Sequence, residues 1–272
     1  MYRSKSVFST VKDLAIAGKA ILRSTILSQA QTRRWLKPVS HTSNPKNSVG
    51  APWIIYSDGD YPYTPMVDVY SVLSNEGDNE GLYSSYLGLV PDYGVGYAIL
   101  SADTHSPADL NAHADYMEVI LDAVVRTAQT QAVLNFGGLY SAPSGLKSYI
   151  NITYDSLPGL IVEEFTSNGT NIRETLAKLT GIAANGTDLS IRLYPTWNEK
   201  TSAGSRQAFR AVMQDKTELA DNDTPTCVSW LNLDKYQYGG RSLDEFIFTL
   251  DTAGKANKVE MPALGEILER KK

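Results

Sequence analysis

Apolar residues first recur at helical spacing. Leu14, Ile16, Ala17, Ile21, Leu22 and Ile26 fall at the three-to-four-residue interval of one helix face. Thr10 stands where a cap belongs, with Asp13 three residues on, a variant of the capping box. A second short helix is predicted over Ala30–Leu36, and Pro38 bars its continuation. Residues 38–52 are polar, rich in turn formers, and read as a loop. Trp53–Tyr56 and Val67–Val72 are strand-like, with a turn at Asp58–Asp60. Leu82–Val90, the turn Pro91–Gly94 and Val95–Leu100 then read as a hairpin. Ser106 as cap, Pro107 and Asp109 open a long helix over 107–133. Its apolar positions Leu110, Ala114, Met117, Ile120, Leu121, Val124, Val125 and Ala128 predict a broad buried face.

After Asn135–Gly138 the period shortens. Strand-like runs at Leu139–Ser141, Tyr149–Tyr154, Leu160–Phe165, Leu189–Tyr194, Ala208–Met213, Cys227–Leu233, Phe246–Leu250 and Lys258–Met261 alternate with turn signals, and one short helix, Ile172–Leu179, interrupts them. Strands at this spacing predict a small antiparallel barrel or sandwich. The change of texture divides the chain into residues 1–132 and a β-rich domain over 133–272.

Composition narrows the function classes. Apolar residues make up 42% of the 272, enough for a core. The net charge of −5 argues against a nucleic-acid surface, and the basic cluster Arg33–Lys37 reads as a solvated helix end. No apolar stretch is long enough for a membrane span. The N-terminus lacks the apolar core of a signal peptide, so the chain as written is expected in the cytoplasm. Four sequons, at Asn151, Asn168, Asn185 and Asn222, cluster in the second part and hint at a secreted ancestry. The single cysteine, Cys227, allows neither an internal disulfide nor a thiolate cage, and reads as a buried structural residue.

Candidate chemistry is sparse. There is no GxSxG elbow, HExxH helix or P-loop, and Gly94–Val95–Gly96 lacks the third glycine of a dinucleotide loop. No cofactor is implied. His105 and His113, with Asp103, Asp109 and Asp115, have superficial metal spacing, but His113 and Asp109 are an ordinary helix-surface pair, and no metal is expected. Ser-x-x-Lys occurs at Ser9–Lys12, Ser43–Lys46 and Ser144–Lys147. Only Ser9–Lys12 has the local setting of an acylating pair, at a helix start where the lysine returns one turn on. The plainer reading makes Ser9 and Thr10 capping residues, and it is preferred.

Several segments together resemble a family. These are Ser9–Thr10–Val11–Lys12–Asp13–Leu14, Arg33–Pro38, Asn44–Trp53, and above all Gly81–Asp92 with Gly94–Leu100. They resemble the last third of the catalytic domain of serine β-lactamase-like proteins, the class C β-lactamases with related esterases, peptidases and penicillin-binding proteins. The fungal branch is the most similar, and there a β-rich domain follows. The resemblance implies an α+β chain: part of a β-lactamase-like α/β sheet domain over 1–132, then a small antiparallel, lipocalin-like β-barrel. The family's Ser-x-x-Lys nucleophile and Tyr-x-Asn segment fall upstream of the matched region. Its Lys/His-Thr/Ser-Gly strand should fall just before Gly81. Here Asn75, Glu76, Gly77 and Asp78 stand there, and Glu76, Asp78 and Glu80 would repel a substrate carboxylate.

Three readings follow. In the first, the chain is a β-lactamase-like protein without the family's nucleophile, inactive as a β-lactamase. It would be accessory to a fungal secondary-metabolite pathway, terpenoid or polyketide. Its binding cleft would involve Asn75, Glu76, Gly77, Asp78 and Ser84. Its partners would be a small-molecule pathway intermediate and a protein that covers the incomplete sheet domain. In the second, the β-domain binds a small apolar molecule, with Tyr149, Ile150, Ile152, Ile161, Val162, Phe165, Leu189, Ile191 and Leu193 facing a cavity. In the third, the chain is a fragment of a longer serine hydrolase or acyltransferase.

Overall fold

The structure, a computed structural model, describes residues 8–58, 67–75, 83–102, 110–143, 145–155, 157–202, 204–217 and 227–271. The chain divides into two units, Met1–Arg126 and Thr127–Lys272.

The first unit is an antiparallel meander of six strands in chain order: β1 (Ser40–His41), β2 (Asn47–Val49), β3 (Ile54–Asp58), β4 (Val67–Asn75), β5 (Tyr83–Val90) and β6 (Val95–Ala102). The hairpin read from the sequence is β5–β6, joined by a 3-10 turn at Pro91–Tyr93 and Gly94. The stretch expected to be loop at 38–52 instead holds β1 and β2, paired Ser40 to Val49 and His41 to Ser48. Their side chains are mostly exposed, so no apolar alternation marked them.

Helices pack on both faces of this sheet. Helix α1 (Val11–Leu22) starts at Thr10, whose Oγ1 accepts from the Asp13 N–H at 3.1 Å and donates to Asp13 Oδ2 at 3.0 Å. Helix α2 (Gln29–Trp35) begins one residue earlier than expected, because Ser28 and Gln31 close a full capping box. Ile21 and Leu22 of α1 and Trp35 of α2 pack with Trp53, Ile55 and Leu89 on one face. Helix α3 (Leu110–Phe136) places Leu121 and Val125 against Val69 and Val90 on the other. The expected cap at Ser106 lies outside the described residues. The buried face of α3 is narrower than its pattern suggests: Ile120 is 47% exposed.

The second unit is a closed barrel. Its strands are β7 (Gly138–Ser141), β8 (Tyr149–Thr153), β9 (Leu160–Ser167), β11 (Leu189–Thr201), β12 (Gly204–Asp215), β15 (Glu245–Leu250), β16 (Ala256–Met261) and β17 (Glu266–Arg270). They run in the order β9-β11-β12-β15-β16-β17-β7-β8, and β8 pairs back onto β9. The antiparallel barrel, not a sandwich, is the outcome, and closure removes the sheet edges. The short β10 (Thr170–Asn171) extends β9, and β13 (Gln237–Tyr238) pairs with β14 (Arg241–Ser242) apart. Helix α4 (Ile172–Thr180) is capped by Asn171 and ends at Gly181 in the left-handed conformation. Its Leu176 and Ala177 join the barrel core.

Two expectations for this unit fail. Cys227–Leu233 is not a strand: Cys227–Asn232 forms a 3-10 turn with Leu231 79% exposed. The apolar composition of the run signalled burial that Trp230 and Leu231 do not have. β17 was not anticipated, because Leu268 alone of its apolar residues is buried while Ile267 faces out among charges. Tertiary pairing with β16 and β7 makes it a strand.

Candidate functional site

The proposed cleft residues begin where β4 ends. Asn75 is the last residue of β4 and pairs with Ser84 of β5, which pairs in turn with Ser101 of β6. Ser84 is buried. The structure brings together Asn75 and Ser84, and Glu76, Gly77 and Asp78 lie outside the described residues.

Beyond Ser84 the same sheet face carries a tyrosine pair. Tyr86 and Tyr97 stack with ring centroids 5.4 Å apart and planes 21° from parallel. Gly88 makes room for it: a Cβ there would lie 2.0 Å from Tyr97 Cζ. Burial first, then the neighbouring Tyr86 hydroxyl, push the Tyr97 phenol far above its ordinary range, so it is a neutral packing group rather than a base. Ser71, opposite Gly88, donates its hydroxyl to the Ile54 carbonyl at 3.1 Å. Sequence reasoning named Ser84 and passed over this pair. The facing Gly88 and Tyr97, a bare glycine across from an aromatic, were the available signal.

Ser9 and Lys12 are both exposed. Ser9 precedes the cap of α1, and the capping hydroxyl is that of Thr10. Nucleophilic activation needs a desolvated lysine or a base held against the hydroxyl. Two solvated side chains at a helix start do not supply it. Ser43 is exposed in the β1–β2 turn region, and Ser144 lies outside the described residues.

The barrel interior holds an aromatic cluster. Phe136 lies 4.9 Å from Phe209 and 5.3 Å from Phe248, and Phe248 lies 5.2 Å from Phe209 and 5.9 Å from Tyr140, by ring centroids. Ile150, Ile152, Val162, Phe165, Leu189, Ile191 and Leu193 point into this cluster. Tyr149 and Ile161, expected beside them, are only half-buried, as the strand alternation requires.

The barrel's polar groups serve structure. The buried Arg173 guanidinium donates to the carbonyls of Gly186 (2.8 Å), Leu189 (2.6 Å) and Val162, tying α4 to the barrel. Arg192 grips Asp155 with two bonds of 3.0 and 2.5 Å. Burial acts to raise the Asp155 carboxyl, but Arg192 and the Leu157 amide outweigh it and hold it below the ordinary range. Arg270 donates to the carbonyls of Leu134, Asn135 and Gly137 at the end of α3.

The sequons occupy different settings. Asn168 is exposed at the tight turn between β9 and β10. Asn151 is half-buried within β8. The Asn185 amide is engaged, donating to Asp188 at 2.7 Å and accepting from Thr187 and Asp188 N–H. Asn222 lies outside the described residues.

Among the described residues no cluster of three metal-ligating side chains occurs, and no helix is long and apolar enough to cross a membrane. His105, Asp103 and Asp109 lie outside them.

A family model described as "Beta-lactamase-like-like, C-terminal domain" matches residues 128–272, more than half of the chain. The chain belongs to this beta-lactamase-like family. A "Beta-lactamase-like protein" of Arthroderma benhamiae is 28% identical over 95% of this chain and 47% of its own length. A "Probable hydrolase clz13" of Cochliobolus lunatus is 22% identical over 96% of this chain and 43% of its own. The chain thus spans about half the length of these beta-lactamase-like relatives. No solved structure matches it.

Proposed function

We propose that this beta-lactamase-like chain has no hydrolase turnover of its own. It would act as an accessory protein in a fungal secondary-metabolite pathway, terpenoid or polyketide, binding an intermediate beside Asn75–Asp78 and Ser84. The observation that carries the first part is the solvated Ser9–Lys12 pair, with the helix cap taken by Thr10 rather than Ser9. The pathway role rests on the resemblance to the fungal branch. A protein partner covering the first unit fits the exposure of Tyr116, Val119 and Ile120 on α3. A ligand-holding barrel is less well supported, since the aromatic cluster fills its interior.

The test is an assay of the purified chain with a chromogenic cephalosporin and with p-nitrophenyl esters. No turnover above buffer is expected. Turnover that Ser9→Ala abolishes would overturn the reading and make Ser9–Lys12 the acylating pair. The binding part is tested with neutral and carboxylated terpenoid and polyketide ligands. Glu76→Lys should move preference toward the carboxylates, and the effect should fade with salt.

A further inference from the structure

The turn between β9 and β10 is held by its backbone and leaves one side chain free. Ser167 pairs with Thr170, so Asn168 and Gly169 form a two-residue hairpin loop. Both are left-handed, with φ of 48° and 79°. Asn-Gly is the pair that such a loop favours. The Asn168 N–H donates to Ser148 Oγ at 2.8 Å, and the Gly169 N–H donates to the Lys147 carbonyl at 2.8 Å. Ser148 is itself buried and donates to Glu266 Oε1 at 2.6 Å. The Ser167 hydroxyl donates to the same oxygen at 2.8 Å. One carboxylate at the start of β17 thus ties down the ends of β8 and β9, and the turn with them. The Asn168 side chain takes no part in this. Asn168 is exposed, and its carboxamide makes no hydrogen bond to the described residues.

Asn168–Gly169–Thr170 is also a sequon, and Thr170 is exposed beside it. The other two described sequons lack this freedom. Asn151 sits mid-strand in β8, half-buried between Leu139 of β7 and Glu164 of β9. The Asn185 carboxamide closes the turn before β11. Its Nδ2 donates to Asp188 at 2.7 Å, and its oxygen accepts from the N–H groups of Thr187 and Asp188 at 2.9 and 3.0 Å.

We propose that Asn168 is the acceptor at which this chain takes an N-linked glycan, and that Asn151 and Asn185 stay bare. The donor is a lipid pyrophosphate-linked oligosaccharide. A bond forms between Asn168 Nδ2 and the anomeric carbon as the sugar–phosphate C–O bond breaks. The lipid pyrophosphate leaves with the electron pair, and one amide proton is released. The product projects from the tip of a hairpin whose own contacts it does not disturb.

The modification takes place in the secretory pathway, so the full chain is expressed behind a secretion leader in yeast. Protein from the medium and from the cell membranes is analysed alike, so that a failure of export does not hide the outcome. Endoglycosidase H leaves a single N-acetylglucosamine on each glycosylated asparagine, and peptide mass spectrometry reads its position. This mark is distinct from deamidation, to which Asn-Gly is prone. The sugar is expected on Asn168 and absent from Asn151 and Asn185. Asn168→Asp, which keeps an Asp-Gly turn, and Thr170→Ala, which keeps the turn residues themselves, should each abolish it. Thr170→Ser should retain it. A bare Asn168 overturns the proposal. So does a sugar on Asn151 or Asn185 at equal occupancy, or one on Asn168 that survives Thr170→Ala.

Discussion

The two units solve the same problem with unequal success. Both are antiparallel, and both bury wholly inaccessible side chains such as Leu89 in the first and Phe248 in the second. In the barrel, every described strand of the ring has a neighbour on each side, and one large cluster of buried residues runs from Tyr140 to Leu268. In the first unit the described strands do not close into a ring, and two separate groups of four buried residues lie one under each helical layer, with the buried Tyr86 outside both. Closure lets each inward side chain touch the same interior. An open sheet must find a separate cover for each face, and large apolar side chains remain exposed on β3, β5, β6 and α3.

The widest gap should appear when each unit is expressed alone. Residues 127–272 are expected to be soluble and to unfold cooperatively, whereas residues 1–126 should aggregate or melt without a sharp transition. Thermal scans followed by far-ultraviolet circular dichroism test this. A soluble, cooperatively melting 1–126 would break the comparison.

Single truncations should show the same asymmetry on a smaller scale. Phe248→Ala removes the ring that meets Phe136, Tyr140 and Phe209, and should cost about 3–5 kcal/mol. Leu121→Ala, in a group of four, should cost about 2 kcal/mol, at the low end of such truncations. Urea denaturation of the full chain measures both. Equal costs would mean that the sheet unit is packed as tightly as the barrel.

A subtler change probes the open sheet. Gly88→Ala should cost about 1–3 kcal/mol, because its Cβ would meet the Tyr97 ring and force the Tyr86–Tyr97 stack apart. Near-ultraviolet circular dichroism should lose tyrosine signal in step with the loss of stability. An unchanged spectrum would show that the ring moves freely.

The smallest effect is expected from pH. Asp155 is held below its ordinary range in the folded state, so it binds protons more readily when unfolded. Its contribution is therefore full above the ordinary carboxylate range and is lost as pH falls through the depressed value. Its side chain is 38% exposed, so solvent screening keeps the effect small. Asp155→Asn should flatten the stability profile on the acid side and leave neutral-pH packing intact. A mutant profile as steep as the wild type's would place the acid sensitivity elsewhere.

Legibility followed the chemistry of each segment. The β5–β6 hairpin was readable because Pro91 and Gly94 bracket a tight turn between apolar runs. Helix α4 was readable from its spacing and the turn residues around it. The Arg173 clamp was not, since nothing local tells a buried arginine from a solvated one until three carbonyls converge on it. Of the candidate site, Ser84 was named from the resemblance, while the Tyr86–Tyr97 stack beside it depends on cross-strand register.

By itself the sequence determined the elements whose signals are local: caps, turns, the helical and strand periods, and the break in texture near residue 135. Tertiary structure decided which of several antiparallel arrangements formed. The pairing of β17 with β7, Glu269 opposite Ser141, joins the last strand of the unit to its first, and no local signal in either segment marks it. The fate of Cys227–Leu233 and Glu266–Arg270 was settled the same way. Each has a composition that misstates its setting, and only the partners brought by distant parts of the chain decide whether an apolar residue is buried or left at the surface.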